Sequence, residues 1–186
     1  MRFGGTMKRA FWIALGTAAL SVVAFAQQVE IDNALLAAPG NLKNNASVVH
    51  WKDDYTYETL KQGTRDIVGY DKSGKPGHPP FSVACTNKGN LPREAQDLKL
   101  EAIADKAASK AAFDNAEKDG TRVKPVFGSV WYHFEGPDRE HAHTHMTIAV
   151  PGATQQTLGL PENGKSGGVW IMDKGTSTAH LMTPGE

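Results

Sequence analysis

Two strand-like runs, Val126–Phe134 (VFGSVWYHF) and Ala142–Val150 (AHTHMTIAV), are separated by little more than the polar stretch Glu135–Glu140. A parallel return needs a crossover of a dozen or more residues, so runs this close favour antiparallel pairing. Pro151-Gly152 ends the second run, and two short strand-like segments follow, Val169–Met172 and Ala179–Met182, around Asp173-Lys174-Gly175. Earlier in the chain Ser47–Trp51, Thr56–Leu60 and Arg65–Tyr70 are strand-like, the first two divided by the turn-forming Lys52-Asp53-Asp54. Asp71–Pro80 holds three Pro and two Gly and is therefore a loop.

Helical patterning is confined to two places. Ile31–Ala38 reads as a short helix stopped by Pro39-Gly40. Pro92–Lys118 reads as one long helix with Pro92 in its first turn and Asp119-Gly120 at its end. Leu100, Ile103, Ala104, Ala107 and Ala111 share one face of it at helical spacing, an Ala-rich stripe suited to close packing on a sheet. The expected fold class is α+β: a mainly antiparallel sheet packed against one long Ala-rich helix.

The first 26 residues stand apart. Arg2, Lys8 and Arg9 precede a charge-free apolar run over 10–26, which ends in Ala24-Phe25-Ala26. A basic start, an apolar middle and an Ala-x-Ala end are the marks of a secretory signal peptide, with cleavage before Gln27. The run is short for a membrane span and rich in Ala, Gly and Thr. The expected organisation is a signal peptide over 1–26 and one mature α+β domain over 27–186. The expected location is secreted or periplasmic, with no stable membrane insertion after cleavage.

Charge now becomes informative. The whole chain balances 20 Lys+Arg against 20 Asp+Glu. Without its first 26 residues it is a 160-residue domain with 17 basic and 20 acidic side chains. That excess is acidic, so the chain lacks the basic surplus that displaces phosphate counterions, and nucleic acid is not an expected partner. Nothing in the sequence points to a particular protein partner. One cysteine, Cys85, serves the whole chain, and in Phe81-Ser82-Val83-Ala84-Cys85 it reads as a buried, inert thiol.

Chemistry concentrates in a histidine cluster. Four of the seven histidines, His133, His141, His143 and His145, fall within 13 residues, among Glu135, Asp138 and Glu140. On a strand, His141, His143 and His145 point from one face. Neighbours at i and i+2 can share one ion, whereas His141 and His145 lie about 13–14 Å apart. A good site therefore needs a ligand from another strand. His133 supplies one only if the hairpin register allows: a symmetric six-residue connection pairs Phe134 with His141 and sets His133 against Ala142. His180, with Met182 on the same strand face, is a further candidate. Two imidazoles with a thioether favour copper, and imidazole with carboxylate or water suits zinc. Alternating histidines are also compatible with a partly solvated sheet face or a pH-sensitive patch. No His-Glu-x-x-His motif is present.

Three C-terminal stretches carry a resemblance: His145-Met146-Thr147-Ile148-Ala149-Val150-Pro151, Gly167-Gly168-Val169-Trp170-Ile171-Met172, and Gly175-Thr176-Ser177-Thr178-Ala179-His180-Leu181-Met182-Thr183-Pro184. They resemble the C-terminal part of a family of small exported bacterial proteins of uncharacterised function, with a His-x-Met-Ile segment followed by Gly-Thr-x-x-Ala-His-Leu-Met-x-Pro. The resemblance implies export and a shared fold, and no reaction. It also draws attention to His145 and His180, which match the pattern, while His141 and His143 look particular to this chain. Family members tend to carry a second cysteine upstream of the one matching Cys85, and Ile67-Val68-Gly69-Tyr70 has none here.

The sequence thus leads to an exported protein with a His/Met transition-metal site for copper or zinc, built on His145, His180, Met182 and His143, with His141 and His133 nearby. A metal-dependent enzyme using that site and a metal-free structural or interaction module are the alternatives.

Overall fold

In the computed structural model, residues 25–183 are described. Most of the segment expected to be a signal peptide, 1–26, and Pro184 therefore lie outside the described residues. The described residues begin with a helix over 25–34 (α1), followed by a turn and a single helical turn, Gly40–Lys43 (α2). The strands are Ser47–Trp51 (β1), Tyr57–Lys61 (β2), Ile67–Asp71 (β3), Phe81–Asn87 (β4), Val130–Gly136 (β5), His143–Ala149 (β6), Trp170–Met172 (β7) and His180–Met182 (β8). Between β4 and β5 run Leu91–Glu101 (α3) and Lys106–Lys118 (α4), and Gln155–Leu158 (α5) is a single turn between β6 and β7.

All eight strands form one sheet in the order β2-β1-β3-β4-β5-β6-β8-β7. Pairing is antiparallel except between β1 and β3, which run parallel because β2 folds back as an outer hairpin before the chain returns. The sheet is therefore mixed. Its centre is β4, buried along almost its whole length, where a strand covered on both faces shows no alternation.

The expectation of one long Ala-rich helix is corrected. Among the described residues no such helix is present: the segment breaks at 102–105 into α3 and α4. No Pro or Gly causes the break. Asp105 takes an extended conformation and its side chain accepts the Ala108 N–H at 2.7 Å, a side-chain cap that starts a new helix. Ser109 Oγ donates to the Leu100 carbonyl at 2.9 Å and ties the two helices together. The stripe also faces elsewhere. The buried residues of α3 are Leu91, Arg93, Glu94 and Leu98, while α4 buries none of its residues, and Ala104, Ala107 and Ala111 are exposed.

Around β1, β3 and β4 each face of the sheet has its own cover. On one face α3 lays Leu91 and Leu98 over Val49, Trp51, Val68, Tyr70 and Ala84. On the other, the α1 end packs Leu35 and Ala38 with Ile67 and Cys85. Gly69 makes that second contact feasible, because a Cβ there would stand 2.6 Å from the Ala34 carbonyl oxygen. A third cluster, Val150, Ala153, Ile171 and Ala179, anchors β7 and β8. Buried Asn90 joins the parts: its amide donates to Thr86 Oγ1 at 2.8 Å and Ser129 Oγ at 2.9 Å, and its carbonyl accepts the Val126 N–H at 2.8 Å.

No helix among the described residues is long and apolar enough to cross a membrane.

Candidate functional site

Helix α3 covers only the β1–β3–β4 half of its sheet face. Beside it, the same face of β5, β6 and β8 floors a cleft of about 360 Å³. Side chains alternate along strands, so the register decides which residues line that floor. His133 pairs with His145, Trp131 with Thr147, and Glu135 with His143. Ala84 of β4 sits opposite His133, and Tyr70 of β3 opposite Ala84. Tyr70, Ala84, His133 and His145 thus form one row across four strands.

The expectation for this hairpin is corrected in detail. A symmetric connection pairs Phe134 with His141, but Phe134 faces Thr144, and His133 joins the histidine face. The strand runs on to Gly136, where a Cβ would lie 2.7 Å from both Ala142 Cα and the His141 carbonyl oxygen. That close approach needs glycine and sets the register. Asp138 holds the loop, accepting from the His141 backbone N–H at 2.9 Å and sitting 2.8 Å from its ring Nδ1.

The cluster therefore divides. His133 and His145 come together, with ring centroids 6.0 Å apart and planes 30° from parallel. His143 lies on the same face but is exposed, beside Glu135. His141 is an exposed loop residue engaged with Asp138. His180 pairs with Ala149, four residues beyond His145, an offset of about 13–14 Å along the strand. Met182 pairs with Thr147, diagonal to His145. The expected union of His145 and His180 on one ion is not what the register produces, because β8 pairs with the far end of β6. Among the described residues no group of three or more His, Cys, Asp or Glu side chains is gathered so as to hold an ion.

His180 lines the opposite end of the same cleft. Its Nδ1 donates to the Thr178 carbonyl at 2.8 Å. The loop before it is pinned by Arg93, whose guanidinium donates to Thr178 Oγ1 at 2.7 Å, Ser177 Oγ at 3.2 Å and the Val123 carbonyl at 2.6 Å. Glu117 of α4 accepts from the Ser177 backbone N–H at 2.6 Å.

The wall supplied by α3 carries charge that composition does not reveal. Glu94 is buried against Lys72, with Nζ 2.9 Å from its Oε1, and accepts the Tyr70 hydroxyl at 3.0 Å. Burial alone would raise the Glu94 carboxyl, but the Lys72 charge and the hydrogen bonds from Lys72 and Tyr70, with His78, together outweigh it and hold the group below the usual range. His78 closes one side, its Nε2 3.0 Å from Glu101. Burial, and then the Lys72 ammonium, push His133 down to about 3, so its ring is neutral throughout the physiological range. Four carboxylates (Glu94, Asp97, Glu101, Glu135) line the cleft against two cations, Lys72 and Arg93.

Lys72, His78, Arg93 and Glu94 carry no local sequence signal for this role. His78 stands in a Pro/Gly loop, and Arg93 and Glu94 lie in a helical pattern whose apolar stripe points elsewhere. Cys85 is fully buried, with its thiol pushed up to about 12 by that burial, and it takes no part in the cleft.

Comparison with known protein families, curated proteins and solved structures finds no match for this chain.

Proposed function

We propose that this is an exported bacterial protein that binds a transition-metal ion, copper or zinc, on the facing imidazoles of His133 and His145. The observation that carries the reading is their cross-strand pairing in a cleft where His133 is already neutral. Metal ligation requires an unprotonated imidazole, so no proton has to be displaced from His133. Metal–nitrogen distances of about 2.0–2.1 Å place two ligating nitrogens roughly 3–4 Å apart, which a tilt of the two rings toward each other provides. The acidic lining favours a cation. Two protein ligands are one short of the three typical of catalytic zinc sites, so the geometry favours binding over metal-dependent hydrolysis.

Export rests on the leader and on the resemblance, and the mature protein resides in the periplasm or the medium. Cleavage before Gln27 removes from the described residues only Phe25 and Ala26, both exposed, and keeps Ala34 and Ala38 in their packing.

Titration of the metal-free protein with Cu(II) and Zn(II), followed by calorimetry and thermal melting, tests the binding. One equivalent should bind and raise the melting temperature, and His133→Ala or His145→Ala should abolish it while His141→Ala leaves it intact. Absence of stoichiometric binding by either ion would leave the metal-free module as the better reading.

A further inference from the structure

The cleft beside α3 is polarised along its length. On β5 its floor is the row Glu135, His133 and Trp131, about 13–14 Å from end to end at two residues per step. Glu135 lies at the end where the β3–β4 loop crosses, because it pairs with Ser82, whose carbonyl accepts the Lys72 N–H at 2.8 Å. Glu101, the last residue of α3, reaches the same loop and meets His78 Nε2 at 3.0 Å. Gly77 admits it: its φ is +84°, and a Cβ there would stand 3.2 Å from Glu101 Cβ. The other end is mainly apolar, with Trp131, Pro125, Ala149 and Ala179 in its lining.

Charge is uneven in the same sense. Glu94 is answered by Lys72 at 2.9 Å, and Asp97 by Arg93 at 3.3 Å and by Arg122. Among the described residues neither Glu101 nor Glu135 is paired with a Lys or Arg: Glu101 meets His78, and Glu135 accepts the Ser82 hydroxyl at 3.1 Å. The uncompensated negative charge is thus gathered at one end and the apolar surface at the other. At about 360 Å³ the cleft falls within the range of small-molecule sites, about 300–1,000 Å³.

A ligand matched to both ends carries one positive charge on an apolar body. We propose that the cleft binds a small organic amine, with its ammonium at the Glu101 and Glu135 end and its hydrocarbon or aromatic body along the floor to Trp131. An alkylamine is protonated at neutral pH, and its three N–H donors can serve both carboxylates. Trp131 supplies apolar contact area for the body. The same carboxylates turn an anion away, and a bare metal ion uses none of the apolar end. The inference goes beyond the metal reading and does not depend on it.

The test is calorimetric titration of the full chain, freed of metal by a chelator and held in phosphate buffer, with phenylbutylamine. Phenylbutanol lacks the charge, phenylbutyrate reverses it, and butylamine lacks the ring. Phenylbutylamine should bind one-to-one, and each of the other three at least about tenfold more weakly. Glu135→Gln and Glu101→Gln should each weaken the amine about tenfold and leave the alcohol unchanged. The probe comparison on the natural chain stands whatever either variant does to folding. No binding of phenylbutylamine, or equal binding of the amine and the alcohol, would overturn the proposal. Cu(II) or Zn(II) binding without amine binding would sink this inference alone, and amine binding without metal binding would sink the metal reading alone.

Discussion

Lys72 and Glu94 form an ion pair at 2.9 Å in which both side chains are almost wholly out of solvent, 6% and 4% exposed. One stands just past the end of β3 and the other on α3, so the pair clamps the helix to the sheet at the cleft edge. Removing one partner strands a buried charge, which costs about 3–5 kcal/mol. Lys72→Met and Glu94→Gln should each lose about that much stability in urea unfolding. The double variant should recover most of the loss, and strictly additive losses would show that the two side chains do not depend on each other.

His133 makes stability depend on pH in one direction. In the folded chain it stays neutral down to about pH 3, whereas in the unfolded chain an imidazole protonates near 6.5. Between those values the unfolded chain binds the extra proton. The contribution is therefore complete above about pH 6.5 and is lost as pH falls toward 3, by as much as about 5 kcal/mol. Urea midpoints measured from pH 7 to pH 4 should fall less steeply in His133→Gln than in the natural sequence. Equal slopes would mean that another group carries the dependence.

Arg93 spans three elements with one guanidinium, and a lysine cannot reproduce that fork. Arg93→Lys should cost about 2–3 kcal/mol. Amide exchange should accelerate over 176–180 more than over β1–β3, because the lost contacts are those of Ser177 and Thr178.

Cys85 should be silent to thiol reagents in the native state and react only as fast as the chain unfolds, since its thiol is buried and held protonated. Gly69→Ala is the informative companion. Its new methyl group meets the Ala34 carbonyl oxygen and Cys85 Sγ, so it should loosen α1, lower stability by about 1–3 kcal/mol and raise Cys85 labelling. Unchanged labelling in this variant would show that α1 does not guard the thiol.

The strands with alternating or β-branched patterns were legible in the sequence, as the runs containing Val48, Thr59, Val68, Trp131 and Thr147 show. Phe81–Asn87 was not, because a strand buried on both faces has no period to read. The parallel pairing of β1 with β3 depends on where β2 goes, which local pattern does not encode. In the helical segment, the visible Ala stripe obscures the residues that pack, and Asp105 caps a new helix inside what the pattern presents as a continuous one. The histidine face was legible, but its meeting with His133 hung on Gly136 and a register shift. Lys72 and Glu94 meet only through tertiary packing.

One feature of the strand order bears on how the molecule is completed. Strand β8 lies between β6 and β7 and, among the described residues, is the only neighbour of β7 in the sheet. A chain that emerges N-terminus first, from a ribosome or through an export channel, presents β7 with nothing to pair to and β6 with an open edge until His180–Met182 arrives. The His180 end of the cleft is thus laid down after its floor on β5 and β6. A chain that has not yet supplied β8 can carry the His133–His145 pair but not the His180 end of the cleft, so the pair and the pocket around it are assembled at different times.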